Sequence, residues 1–263
     1  MDLGLQGKAA LVCGASRGLG RAIAEALATE GASVVINSRS PEKLGDVAAE
    51  LTASTGVDVA VAAGDLTDPE AVADVVARAQ AAFGKIDILV SNTGGPPSGP
   101  FEDHSAEVWR QAIAQNLESV INLVRAVLPG MKERKWGRIV NVTSISVKQP
   151  VGGLILSNAI RAGVTGFAKT IANEAGPFGV TVNNVLPGFT RTERLVQLAG
   201  ASAERTGASV EDIYEGWERD VPAGRLGEPE ELAALTAFLC SEKAAYITGQ
   251  SVAVDGGWIK GLL

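Results

Sequence analysis

Short stretches that are apolar at nearly every position alternate along this chain with longer amphipathic ones. Residues 8–13, 33–37, 58–63, 86–91, 137–143 and 180–185 read as strands. A stretch running to about Glu30, then 41–53, 69–83, 105–133 and 152–174, read as helices, and Gly31 and Gly84 stop two of them. Strands this apolar on both faces, alternating with helices, predict a parallel sheet covered on two sides. Right-handed crossovers then wind the sheet both ways from its middle.

The expected fold is therefore α/β: a single-domain, doubly wound Rossmann fold spanning 1–263, with about seven parallel strands and helices on both faces. No linker-like shift of composition divides the chain. Residues 190–225 are more polar and less periodic than the rest and are the candidate for a lid over a site. A hydrophobic share of 46% against 20% charged leaves ample material for one core. A net charge of −7 without Lys/Arg clusters argues against nucleic acid and anionic membranes as partners. Residues 1–5 carry neither a basic nor an apolar leader segment, and no apolar run reaches bilayer length, so a cytoplasmic protein is expected. Cys13 falls in a predicted strand and Cys240 in a predicted helix. With no metal-type spacing, both read as buried thiols, and no metal is expected.

The first strand runs into Gly14-Ala15-Ser16-Arg17-Gly18-Leu19-Gly20. Glycines between a strand and a helix let the backbone approach a phosphate and aim the helix N-terminus at it. After the second strand, an acidic residue would accept hydrogen bonds from the ribose 2′-hydroxyl of NAD. Asn37-Ser38-Arg39-Ser40 holds no acid there, and Arg17 lies in the glycine turn on the same side. Two guanidinium groups suit a 2′-phosphate, so NADP(H) is expected over NAD(H).

Taken together, these motifs resemble the short-chain dehydrogenase/reductase family over nearly the whole chain, with wording similar to bacterial 3-oxoacyl-acyl-carrier-protein reductases. The glycine turn resembles the family's T-G-x-x-x-G-x-G, with Cys13 for Thr. Asp65-Leu66 resembles the adenine-contacting pair, and Asn92-Thr93-Gly94-Gly95 the N-A-G after the fourth strand. Asn141-Val142-Thr143-Ser144 resembles N-V-S-S. Asn183-Asn184-Val185-Leu186-Pro187-Gly188 resembles the N-x-x-x-P-G, and Thr192 the residue that holds the carboxamide. Ile247-Thr248-Gly249-Gln250 and Val254-Asp255-Gly256-Gly257 resemble the C-terminal strand and turn. The resemblance implies a homotetramer or homodimer, and a cofactor site made of Gly14, Ser16, Arg17, Gly18, Leu19, Gly20, Ser38, Arg39, Asp65, Leu66, Asn92, Gly94, Arg161, Pro187, Gly188 and Thr192.

It also implies a catalytic group of Asn, Ser, Tyr and Lys. Asn116 and Ser144 match the first two. Thirteen residues past Ser144, where the family's Tyr belongs, stands Ser157; where its Lys belongs stands Arg161. A phenol with a pKa of roughly 10 is a usable acid, and an alkyl hydroxyl is far weaker. Arginine keeps the charge but, with a pKa above about 12, is not expected to relay a proton. Loss of a placed acid costs roughly 10²–10⁴-fold. Lys148, Tyr214 and a water held by Ser157 are the candidate replacements. Packing against Trp217 is the competing role of Tyr214, and solvation that of Lys148. His104 is expected in a loop before the cap Ser105. Three readings follow: an NADP(H)-dependent reductase of a small carbonyl compound such as a 3-oxoacyl thioester, or the reverse alcohol oxidation; a catalytically silent NADP(H)-binding relative acting as a sensor or partner; and an altered reaction that needs no phenol.

Overall fold

Seven apolar stretches form one parallel sheet whose edges and middle follow from how completely each is buried. The computed structural model describes residues 1–262. In chain order the elements are β1 (Ala9–Val12), α1 (Gly18–Thr29), β2 (Ser33–Ile36), α2 (Pro41–Thr55), β3 (Val59–Val61), α3 (Pro69–Phe83), β4 (Ile88–Ser91), α4 (Ala106–Ile113), α5 (Ser119–Glu133), β5 (Gly137–Val142), α6 (Ile155–Ala175), β6 (Val180–Pro187), α7 (Glu193–Thr206), α8 (Val210–Asp220), α9 (Pro229–Leu239) and β7 (Ser251–Val254). The strand order is β3-β2-β1-β4-β5-β6-β7, all parallel. β1, β4 and β5 are buried at every position, whereas β3 and β7 at the edges are only half-buried.

Two apolar layers sandwich the sheet. α1, α2 and α9 bury Ile23, Leu27, Leu44 and Leu232 on one face. α3, α5 and α6 bury Val75, Leu123 and Val164 on the other. Local chemistry sets the helix ends: Ser40 and Asp68 cap α2 and α3 ahead of Pro41 and Pro69, and Gly56 and Gly84 close them in the left-handed region. Four polar side chains inside the sheet are paired across neighbouring strands. Ser91 Oγ donates to Asn141 Oδ1 at 2.7 Å, Asn141 Nδ2 to Asn184 Oδ1 at 3.0 Å, and Asn184 Nδ2 to Ser251 Oγ at 3.0 Å. This ladder ties β4, β5, β6 and β7 together, and each unpaired member would cost about 1–3 kcal/mol.

One expectation is corrected. The helix expected over 105–133 is broken into α4 and α5 by a wider, π-helical turn at Ala114–Glu118. The turn carries Asn116 inward, which sequence periodicity alone does not show. The candidate lid over 190–225 contains α7 and α8. Both helices keep polar outer faces, which hid them, but Thr192 caps α7 and Ser209 with Asp212 forms a capping box on α8. Cys13 lies just past β1 and Cys240 just past α9; both are fully buried. Burial pushes both thiols up to about 12. Among the described residues no helix is long and apolar enough to cross a membrane.

Candidate active site

The strand order reverses between β1 and β4, and a crevice opens there at the carboxyl ends of the strands. It is a cleft of about 750 Å3. At its floor lies the glycine turn. Gly14 and Gly18 have φ of +60° and +54°, a conformation that favours glycine. Asn92 Nδ2 donates to Gly14 O at 3.4 Å and pins the turn to the end of β4. No side chain caps α1, so its first amides are free to meet an anion beside Ser16, Gly18 and Leu19, which line the cleft. Gly20 lies behind the turn and lets the helix pack on the Gly14 carbonyl.

Beyond β2 the wall is cationic. Arg39 and Lys43 are exposed, line the cleft beside Ser38, and pair with no carboxylate among the described residues. Arg17 instead forms an ion pair with Glu193, bridging the glycine turn and the start of α7. Asn37 is buried; its Nδ2 donates to Ala62 O at 2.8 Å, and its Oδ1 is left without a partner among the described residues. Asp65 Oδ1 accepts from Thr67 N and Oγ1 at 3.0 and 2.9 Å, fixing the turn that carries Leu66 to the cleft. Uncapped helix amides and a cationic rim as donors, with an orphaned amide oxygen as acceptor, fit an adenine dinucleotide phosphate.

At the other end stand Ser144, Ser157 and Arg161. The Ser157 and Ser146 hydroxyls are 3.3 Å apart, and Ser144 Oγ accepts from Ser146 N at 3.1 Å. Arg161 is only 8% exposed. Its Nη1 donates to Val142 O at 2.7 Å and its Nη2 to Asn116 Oδ1 at 3.2 Å. Thr93 Oγ1 also donates to that oxygen at 3.3 Å, and Asn116 Nδ2 donates to Ala112 O. Asn116 thus sits behind the cleft, joined to it by its bond from Arg161. Burial first, then the charge of Arg194, pushes Arg161 down to about 10. That is below the ordinary arginine range expected from the sequence, yet the group stays protonated at neutral pH.

Pro187 and Gly188 complete the wall above β6. A Cβ on Gly188 would lie 2.7 Å from Asp255 Cα, so glycine allows the C-terminal turn to approach. Thr192 Oγ1 donates to Thr190 O and caps α7 against the glycine turn. Phe189 stacks on Trp217 at 5.0 Å and meets Trp258 edge-on at 5.7 Å, anchoring α8.

A family model described as enoyl-(acyl carrier protein) reductase matches residues 14–259. The chain belongs to the short-chain dehydrogenase/reductase family. It is 38% identical over 255 residues to the 3-oxoacyl-[acyl-carrier-protein] reductase of Escherichia coli, covering 97% of this chain and 98% of that one. It is 36% identical over 266 residues to the D-beta-hydroxybutyrate dehydrogenase of Cupriavidus necator, covering 97% and 99%. L-sorbose reductase from Gluconobacter frateurii, solved with NADPH and L-sorbose, superposes over 100% of both chains with a TM-score of 0.94 at 34% identity.

Of the short-chain dehydrogenase/reductase positions expected from the sequence, Gly14, Gly94, Ser144, Ser157, Arg161 and Thr192 do meet in one cleft, with Arg17, Arg39 and Asp65 along it. Lys148 does not join them: it is exposed at the end of the turn that follows Ser144. Tyr214 lies edge-on to Trp217 at 5.6 Å and lines a neighbouring hollow with Arg191 and Val196, which shares Thr192 and Glu193 with the cleft. Tyr246 is fully exposed, and half-buried His104 faces Gly99 just before the cap Ser105. Among the described residues no tyrosine lines the cleft. Sequence reasoning missed Lys43 and Arg194. Lys43 was signalled by its place in the first turn after the Ser40-Pro41 cap. Arg194 was signalled only by following Thr192, and without the α7 register it had no direction.

Proposed function

We propose that this protein is a cytoplasmic NADP(H)-dependent oxidoreductase that reduces the carbonyl of a small molecule or oxidises the corresponding alcohol, working as a homotetramer or homodimer. The observation that carries this reading is the charge of the cleft. Arg17, Arg39, Lys43, Arg161 and Arg194 line it against only Asp65 and Glu193, in a chain of net charge −7. A local reversal of sign this strong suits anionic ligands, and Arg39 and Lys43 make its β2 end the one that suits a cofactor phosphate. The uncapped α1 amides would receive the pyrophosphate, and Arg39 and Lys43 the 2′-phosphate. Arg161 would face the nicotinamide ribose, in the place of the family's Lys. The cofactor supplies hydride when bound. Ser144 would orient the carbonyl oxygen. With Lys148 and Tyr214 outside the cleft, the remaining candidate for the proton is a water held between Ser144 and Ser157, where the family has its Tyr. The 3-oxoacyl thioesters named by the relatives are substrates to assay first.

Fluorescence titration tests the cofactor assignment. NADPH is expected to bind at least about 10-fold more tightly than NADH, and Arg39→Ala with Lys43→Ala to erase that difference, because each charge-assisted contact contributes about 1.5–3 kcal/mol. Tighter NADH binding by the unaltered protein would overturn it.

A further inference from the structure

Two guanidinium groups share the substrate end of the cleft, and among the described residues neither pairs with a carboxylate. Arg161 is held by neutral acceptors only, Val142 O and Asn116 Oδ1. Arg194 enters from the first turn of α7, and its Nη2 donates to Pro96 O at 2.6 Å, again a neutral acceptor. Its guanidinium lies flat on the loop after β4. A Cβ on Gly95 would sit 2.7 Å from Arg194 Nε and 2.9 Å from Nη2, so the second glycine of Asn92-Thr93-Gly94-Gly95 makes room for this side chain. Glu193, the carboxylate next to Arg194 in the chain, is taken up by Arg17, and Thr93, Gln115, Ser144, Leu154, Ser157 and Gln197 on the cleft wall are neutral. Two like charges without a counter-ion, Arg161 almost fully buried and Arg194 half-buried, are unfavourable together, and the charge of Arg194 adds to burial in holding Arg161 down. A bound anion relieves that strain.

The cofactor phosphates have their own partners. Arg39 and Lys43 follow β2, whereas Arg161 rises beside β5, three strands away in the sheet order. At about 4.8 Å per strand, these two ends are too far apart for one phosphate to serve both. We propose that the pair selects a substrate bearing a carboxylate, with Arg194 forking onto the carboxylate as the specificity-determining residue and Arg161 completing the positive pocket. The substrate class is then a small oxo-acid or hydroxy-acid, in preference to a neutral ketone. This rests on the reductase reading for the carbonyl and goes beyond it for the anion.

Binding separates the two claims. Calorimetric titrations would compare 3-oxobutanoate, 2-oxobutanoate and 4-oxopentanoate with their methyl esters, with and without saturating NADP+. The unaltered protein is expected to hold at least one of the acids about 10–100-fold more tightly than its ester, the range of one or two charge-assisted hydrogen bonds. Arg194→Leu is expected to abolish the preference, and Arg194→Lys to keep part of it. Gly95→Ala should reduce it too, since the added methyl meets only the end of a flexible side chain and displaces the guanidinium without disturbing the fold. NADPH affinity should stay within about 3-fold in all three variants, less than one such bond. No acid preference in the unaltered protein, or a preference that survives Arg194→Leu and Gly95→Ala, would overturn the proposal. So would a loss of NADPH affinity in Arg194→Leu with the preference intact, which would assign the residue to a cofactor phosphate. A protein that binds an oxo-acid but never oxidises NADPH would uphold this inference and sink the reductase reading. Turnover of neutral ketones at equal efficiency would do the reverse.

Discussion

Arg161→Met is expected to remove at least about 10²-fold of kcat/KM, the usual cost of deleting one preorganised charge from a reaction centre. Two effects on stability oppose each other. The Val142 carbonyl and the Asn116 side-chain oxygen lose their guanidinium donor deep in the protein, at about 1–3 kcal/mol each. Methionine also removes a buried cation that repels Arg194, and relief of such a charge is itself stabilising by a comparable amount. Thr93 still donates to Asn116, which softens the first effect. A net loss of about 1–2 kcal/mol is therefore expected, or roughly 2–8 °C in Tm for a chain of this length. The activity loss should far exceed what so small a change in folded population explains. Arg161→Lys, which keeps the charge and one donor, should retain most of the affinity for NADPH. Denaturant unfolding together with steady-state rates checks both. Unchanged kcat/KM in the methionine variant would remove Arg161 from the reaction centre.

Gly20→Ala is expected to weaken NADPH binding by about 100-fold or more, the equivalent of two charge-assisted hydrogen bonds lost from a phosphate cradle. The reason is space and not backbone freedom, since Gly20 has no positive φ. An added methyl would press into the Gly14 carbonyl and lie 2.8 Å from Asn92 Nδ2. The first neighbour is backbone, and the second is a side-chain end held by its bond to Gly14 O. α1 must therefore back away from the turn, carrying its first amides away from the anion. Gly45→Ala is the matched control. Its methyl meets nothing within 4 Å, in the middle of α2, so it should leave binding alone and add about 0.5–1 kcal/mol of stability. Equal NADPH affinities in the two variants would show that the glycine turn is not the phosphate cradle.

The alternation of apolar runs and amphipathic stretches was legible because strands buried on both faces leave no polar position to confuse the pattern. The glycine turn was legible because only glycine tolerates that turn's dihedrals and contacts. What stayed hidden depended on register between distant segments. Asn116 turns inward only because one π-helical turn interrupts a helix that looked continuous. Residues 190–225 looked less periodic because α7 and α8 bury so little, Leu195 and Ala199 in α7 and none in α8. Lys148 looked well placed from its distance along the chain to Ser144, but the short helical turn over Ile145–Val147 carries it out to solvent. Arg194 could not be assigned to the cleft until α7 was known to lie across Gly95.

On this reading the cleft moves a hydride although no phenol lines it among the described residues. NADPH deuterated at the transferable position, offered with a panel of oxo-acids, ketones, aldehydes and 3-oxoacyl thioesters, tests it directly by mass spectrometry of the products. The account predicts deuterium on the reduced carbon of at least one acceptor, at a rate unchanged in Tyr214→Phe and Lys148→Ala. Tight binding of NADPH with no deuterium delivered to any acceptor would contradict it.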